Sequence, residues 1–187
     1  MDSRPDRLQQ FQNHVEYTGL KYERFRALPH IGPHQSFNFS MLAILAEFWH
    51  SGKPTILILE DDCQFQNIDK ISAALRQLPS DWDMVYFGAN IQDGKFERYS
   101  NNLVKIGCAW STHAVGFSRP VVWEILTTYH NVSTQMFDNW LGEYIHPVKK
   151  CFMTIPIIAI QRPGFSDIWQ QEVDYTGVFK KVNKLVK

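Results

Sequence analysis

Thr55-Ile56-Leu57-Ile58-Leu59-Glu60-Asp61-Asp62 runs from five uncharged residues straight into three carboxylates. Gly52 and Pro54 stand just before it, and Thr55, Ile56 and Ile58 are β-branched. Length, branching and flanking breakers predict a strand buried on both faces, and so a sheet covered by helices on each side.

Working outward, short apolar runs alternate with amphipathic stretches. Residues 4–18 read as a helix with Ser3 as cap, Pro5 in the first turn, a Leu8, Phe11, Val15 stripe, and Gly19 as stop. A second helix is expected over 40–51, ended by Gly52 and Pro54. Asn67 can cap a third carrying Ile68, Ile71, Leu75 and Leu78. Strands are expected at 84–87, 103–106 and 114–117. Ser118 and Pro120 open another helix, and 154–160 is the last apolar run. Strand, helix, strand at this spacing implies an α/β domain spanning 1–187, its central sheet mostly parallel and flanked by helices.

Composition narrows the class. The 187 residues balance 19 basic against 19 acidic side chains, which argues against a nucleic-acid binder. Cys63, Cys108 and Cys151 are too far apart for a zinc site or a disulfide framework and favour a reducing, cytoplasmic setting. No apolar run reaches the roughly 18 residues a bilayer span needs. The basic, amphipathic stretch 179–187 is expected to be a solvated helix, with contact at the inner face of a membrane as the alternative.

The acidic triplet carries the chemistry. Two like charges about 4 Å apart repel by roughly 1 to 4 kcal/mol, and a divalent cation reverses that sign. Ligands of open α/β sheets bind beyond the carboxyl ends of strands. Mg²⁺ and Mn²⁺ take one or two protein carboxylates and complete their shells with water and phosphate oxygens. Such a site suits a nucleotide diphosphate whose pyrophosphate becomes a leaving group. The plain alternative is a solvated acidic turn.

The segment Ile56-Leu57-Ile58-Leu59-Glu60-Asp61-Asp62-Cys63 resembles the ILEDD signature of glycosyltransferase family 25, which includes lipooligosaccharide and collagen galactosyltransferases. Further blocks follow in the same order. Arg4-Pro5-Asp6-Arg7 is similar to the family's R-x-x-R segment, Tyr22-Glu23-Arg24-Phe25-Arg26-Ala27 to its second strand, and Trp82-Asp83 through Gly88 to its W-D-x-x-x-L-G block. Thr112-His113-Ala114-Val115-Gly116-Phe117-Ser118 and Gln161 through Ile168 match two later blocks. The family's first apolar strand has no counterpart ahead of Arg4, and Met41 stands where a histidine is usual.

The resemblance implies a GT-A-type fold and transfer of a hexose, often galactose, from a UDP-sugar to a saccharide or glycolipid acceptor of a surface polysaccharide. It makes Asp62 the first metal ligand, with Glu60 on metal or ribose and Asp61 assisting. Gly88 falls beside the donor. The planar fork of Arg7 suits a phosphate, with a solvated helix arginine as the bland reading. Asp138 is the expected base on the acceptor hydroxyl, with a helix cap as its bland reading, and Asp167 is the second choice. His113 and His146 are lesser candidates for metal. Trp140, Trp169 and Phe165 are candidates for a sugar platform, although core packing is the commoner use of aromatics. Two rival functions remain: a catalytically silent sugar- or partner-binding member, and a metal-dependent phosphohydrolase.

Overall fold

The computed structural model describes residues 4–29, 32–92, 96–130, 132 and 134–185. Its strands are β1 Thr55–Leu59, β2 Cys63–Phe65, β3 Met84–Tyr86, β4 Asn90–Ile91, β5 Phe96–Arg98, β6 Leu103–Ile106, β7 Ala109–Trp110, β8 Ala114–Ser118, β9 Cys151–Thr154, β10 Ala159–Gln161, β11 Gly164–Ser166 and β12 Gln171–Val173. Its helices are α1 Pro5–Thr18, α2 Pro33–Ser51, α3 Ile71–Leu75, α4 Arg119–Thr128, α5 Phe137–Trp140 and α6 Thr176–Leu185. A π turn, Leu141–Ile145, follows α5.

Among the described residues, six strands form the main sheet in the order β1-β8-β3-β9-β6-β5. Only β3 and β9 pair in parallel; the other neighbours are antiparallel. The expectation of a mostly parallel sheet is therefore corrected. β1, β3 and β9 run the same way, while β6 and β8 run against them. Adjacency fails, because β8 inserts between β1 and β3 and runs against both.

Alternation along the central strands builds a core on each face. Met84 and Tyr86 join the cluster that holds Leu45 of α2 and Ile125 of α4, together with Phe117 and Met153. Val85 points the other way, into the cluster of Phe11 and Val15 of α1 with Phe152. All of these side chains are buried. Gly116 allows β8 to press on β3, because a Cβ there would meet Val85 Cγ1 at 2.9 Å.

The strand that opened the reading is not buried on both faces. Among the described residues β1 pairs only with β8 and forms the sheet edge, with Leu57 38% exposed and Ile58 6% exposed. An edge strand has one ladder and one open side, which no hydrophobicity pattern reveals. Residues 22–27, expected to form a strand, join no ladder; Tyr22 instead stands edge-on to Phe11 at 5.4 Å.

Helix boundaries follow their breakers. Gly19 and Gly52 end α1 and α2 in the left-handed region at φ 70° and 73°, where glycine carries no Cβ penalty. Ser3, the expected cap of α1, lies outside the described residues, and Arg4 occupies the capping position. α2 begins earlier than expected because Pro33 sets its first turn. The third helix shrinks to a 3-10 turn and the short α3. Asn67 holds the N-cap position of the 3-10 turn but makes no side-chain cap bond; its side-chain amide donates to the Ile157 carbonyl at 2.8 Å. The run 154–160 splits between β9 and β10.

The basic tail forms α6. Phe179 and Val182 of this helix are buried in the core at 2% and 3% exposure. No helix among the described residues is long and apolar enough to cross a membrane.

Candidate active site

A cleft of about 1510 Å³ runs along the free edge of β1 and past its carboxyl end. The triplet sits there because the chain turns sharply. Glu60 N–H donates to the His113 carbonyl at 3.0 Å as the last bond of the β1–β8 ladder, and Cys63 N–H donates back to the Glu60 carbonyl at 3.0 Å. β2 then leaves to pair with β10. Glu60, Asp61 and Asp62 therefore occupy the tip of a tight turn, at the strand end where a sheet can offer side chains to a ligand.

Chain segments from both termini close on this turn. One Arg7 nitrogen, Nη2, stands 2.8 Å from Asp61 Oδ1 and 2.9 Å from Asp62 Oδ2. Arg7 Nη1 is 3.9 Å from Asp167 Oδ2, which accepts from Arg4 Nη1 at 3.0 Å. Arg162 holds the backbone of the turn: its N–H donates to the Asp62 carbonyl at 2.8 Å and its Nη2 to the Asp61 carbonyl at 3.0 Å. Thr112 Oγ1 donates to Glu60 Oε1 at 2.8 Å. Asp138 Oδ2 accepts from Ser111 N–H at 3.1 Å and Oδ1 from Asn139 N–H at 2.9 Å.

The electrostatics are those of crowded anions. Burial, then the neighbouring Asp62 carboxylate, push Glu60 up to about 8, with Thr112 pulling the other way. Burial also raises Asp62, opposed by the Arg7 guanidinium, and it raises Asp138. A raised acid in a cleft is the usual setting for proton transfer or cation binding, since either supplies what the site lacks.

Arg7, Glu60, Asp61, Asp62, Asp138 and Asp167 all line this one cleft. Gly88 does not. A Cβ at Gly88 would lie 2.0 Å from the Ala159 carbonyl oxygen, so close packing explains the glycine. Asp138 is not the cap of α5, a position held by Met136; it sits in the first turn. The histidines are also corrected. His146 uses both ring nitrogens, one at 2.9 Å from Tyr86 Oη and one accepting from Ala109 N–H at 3.2 Å. His113 Nε2 donates to the Ala159 carbonyl at 3.1 Å. Burial lowers both rings to about 4, keeping them neutral, and neither lines the cleft. Trp140 is a buried core residue packed on Tyr129, whereas Trp169 and Phe165 are exposed on the cleft wall.

Sequence reasoning missed Arg162, Thr112, Ser111 and Asn139. Ser111 adopts φ 76°, a left-handed conformation that a serine does not advertise.

No group of three or more His, Cys, Asp or Glu side chains is poised for a metal ion among the described residues. A hard cation held by one or two carboxylates does not need one. Asp62 Oδ1 is buried without a hydrogen-bond partner, the kind of orphaned anionic atom that such an ion satisfies. Asp62 thus fits a hard divalent cation such as Mn²⁺ or Mg²⁺, with the Glu60 carboxylate near enough to act on it electrostatically.

In comparisons with known proteins, neither a family model nor a curated protein matches this chain.

Proposed function

We propose that this chain is a metal-dependent glycosyltransferase that uses a nucleotide-diphosphate sugar in the β1-end cleft. The observation that carries the reading is the convergence of Glu60, Asp61, Asp62, Asp138 and Asp167 with Arg4, Arg7 and Arg162 in that cleft. Asp62 and Glu60 would hold Mn²⁺ or Mg²⁺, which supplies Lewis-acid stabilisation of a diphosphate leaving group when bound. Arg7 contacts phosphate, and Arg162 fixes the turn that presents the carboxylates. Asp138, raised by burial, takes the proton of the acceptor hydroxyl as it attacks the sugar carbon. Asp167 is the weaker candidate for that base because Arg4 holds it as an ion pair. Trp169 and Phe165 offer an apolar wall for an acceptor sugar.

The resemblance to glycosyltransferase family 25 extends this reading to a GT-A-type domain, a UDP-hexose such as UDP-galactose, and a saccharide or glycolipid acceptor met on the cytoplasmic side. A second reading, a silent sugar- or partner-binding member, is favoured by the Arg7 bridge, which already ties Asp61 to Asp62. A screen of UDP- and GDP-sugars for binding and hydrolysis, with and without Mn²⁺, separates the two. Metal-dependent turnover supports the transferase; binding with no turnover supports the silent member.

A further inference from the structure

Arg7 is placed in an unusual way for a guanidinium facing carboxylates. Arginine prefers a flat fork, with two nitrogens on the two oxygens of one carboxylate. Here a single nitrogen serves two different residues, at 2.8 Å from Asp61 Oδ1 and 2.9 Å from Asp62 Oδ2. The second nitrogen reaches only to 3.9 Å from Asp167. The group thus acts as a point of positive charge between two anions, the task a metal ion performs, and its fork geometry goes unused. Meanwhile the other Asp62 oxygen, Oδ1, is buried and unpartnered. One guanidinium bridges the two carboxylates, while Arg162, the other cation acting on Asp62, is committed to the backbone carbonyls of the turn.

We infer that Arg7 is a displaceable counter-cation, which holds Asp61 and Asp62 in place of a divalent ion and yields them when a diphosphate arrives to engage its guanidinium. The inference rests on the donor-site reading of the cleft. A divalent ion balances the two carboxylates fully, but it takes from part-buried Arg7 its two close partners and leaves only the longer contact to Asp167 at 3.9 Å. That loss opposes metal binding by itself, since a buried charge without a close partner is costly. A diphosphate reverses the balance, because it offers the planar, bidentate contact that the guanidinium lacks among the carboxylates. Metal and diphosphate therefore bind as a couple. By linkage, each must raise the other's affinity by the same factor.

The test is Mn²⁺ binding, followed by paramagnetic resonance of the free ion and by calorimetry, on the full chain with and without saturating UDP. Wild type is expected to bind Mn²⁺ about 10-fold or more tightly with UDP, within the usual range of such couplings. Arg7→Gln should bind Mn²⁺ alone at least several-fold more tightly than wild type, bind UDP alone less tightly, and lose most of the coupling. Arg7→Lys keeps the charge without the fork, so it should still compete with Mn²⁺ and lose the UDP gain; it also serves if the Gln variant does not melt cooperatively. An Arg7→Gln chain that binds Mn²⁺ no better than wild type, while wild type keeps UDP-dependent Mn²⁺ binding, overturns this inference alone. A wild-type chain that binds no Mn²⁺ even with UDP overturns the donor-site reading as well.

Discussion

The Thr112 hydroxyl donates to Glu60 Oε1 at 2.8 Å, tying the loop after β7 to the first carboxylate of the triplet. This bond is one of the influences that hold the Glu60 acid down while burial drives it up. Thr112→Val should therefore raise Glu60 further and cost about 1 to 3 kcal/mol at alkaline pH, as hydrogen bonds to charged groups do. Thr112→Ser should behave as wild type. Urea melts at pH 9 measure both; equal midpoints for Val and wild type would remove the bond from the account.

Stability of the metal-free chain should fall as pH rises through the neutral range. Glu60 moves from an ordinary 4.5 to about 8 in the fold. An acid raised on folding makes the folded state bind the extra proton, so stability declines between those values and levels off above the upper one. Asp62 and Asp138 are raised too and act in the same direction. His113 and His146, lowered from 6.5 to about 4, have the opposite effect below 6.5. The clean window is therefore about 6.5 to 8, where Tm should drop and Glu60→Gln should flatten the slope. A Tm that climbs through this window contradicts the assignment.

Asp62→Asn should leave the fold intact and abolish the stabilisation that Mn²⁺ plus UDP gives wild type. The swap is nearly isosteric and removes one of the crowded charges. Ligand that binds only the native state stabilises it with the logarithm of one plus ligand concentration over Kd, so paired melts with and without Mn²⁺ and UDP read the loss directly. An unchanged ligand-induced shift would take Asp62 out of the metal site.

Asp138→Asn separates catalysis from binding. As the acceptor base it should cost about 10² to 10⁴ in kcat, with donor Kd nearly unchanged. Asp138 accepts two backbone N–H groups, from Ser111 and Asn139, and the amide has only one oxygen to offer. A loss of about 1 kcal/mol in stability should accompany the kinetic effect. Steady-state kinetics and a denaturation curve on one preparation suffice; lost stability with normal turnover would make Asp138 a purely structural anchor.

Two substitutions test the sheet. From the sequence pattern alone, Leu57→Asp should prevent folding, as a charge placed mid-strand in a buried run. At the sheet edge, with Leu57 38% exposed, it should instead fold at a cost of about 1 kcal/mol. Phe117→Ala, in fully buried β8, should cost about 3 to 5 kcal/mol. Chemical denaturation ranks the pair, and the reverse order would place β1 inside the sheet.

Much of the site was legible because its signals are local. Three carboxylates after an apolar run need no tertiary knowledge, and the breakers Gly19 and Gly52 end their helices as their backbone freedom dictates. The direction of β1 and β3 was legible as well. That β8 lies between them was not, since strand order depends on which edges meet after the chain has crossed the sheet. Leu57 looked like core for the same reason. Arg162 stayed hidden because its work is done through backbone carbonyls of residues a hundred positions away, which leave no trace in side-chain type.

Gly88 has a consequence for reading other sequences. The Ala159 carbonyl oxygen occupies the place a Cβ would need, only 2.0 Å away. Any side chain here would have to push two backbone segments apart. Selection for the scaffold alone would keep this glycine wherever the two segments stay in contact, independent of any ligand. Invariance at this position would then record shared ancestry of the scaffold.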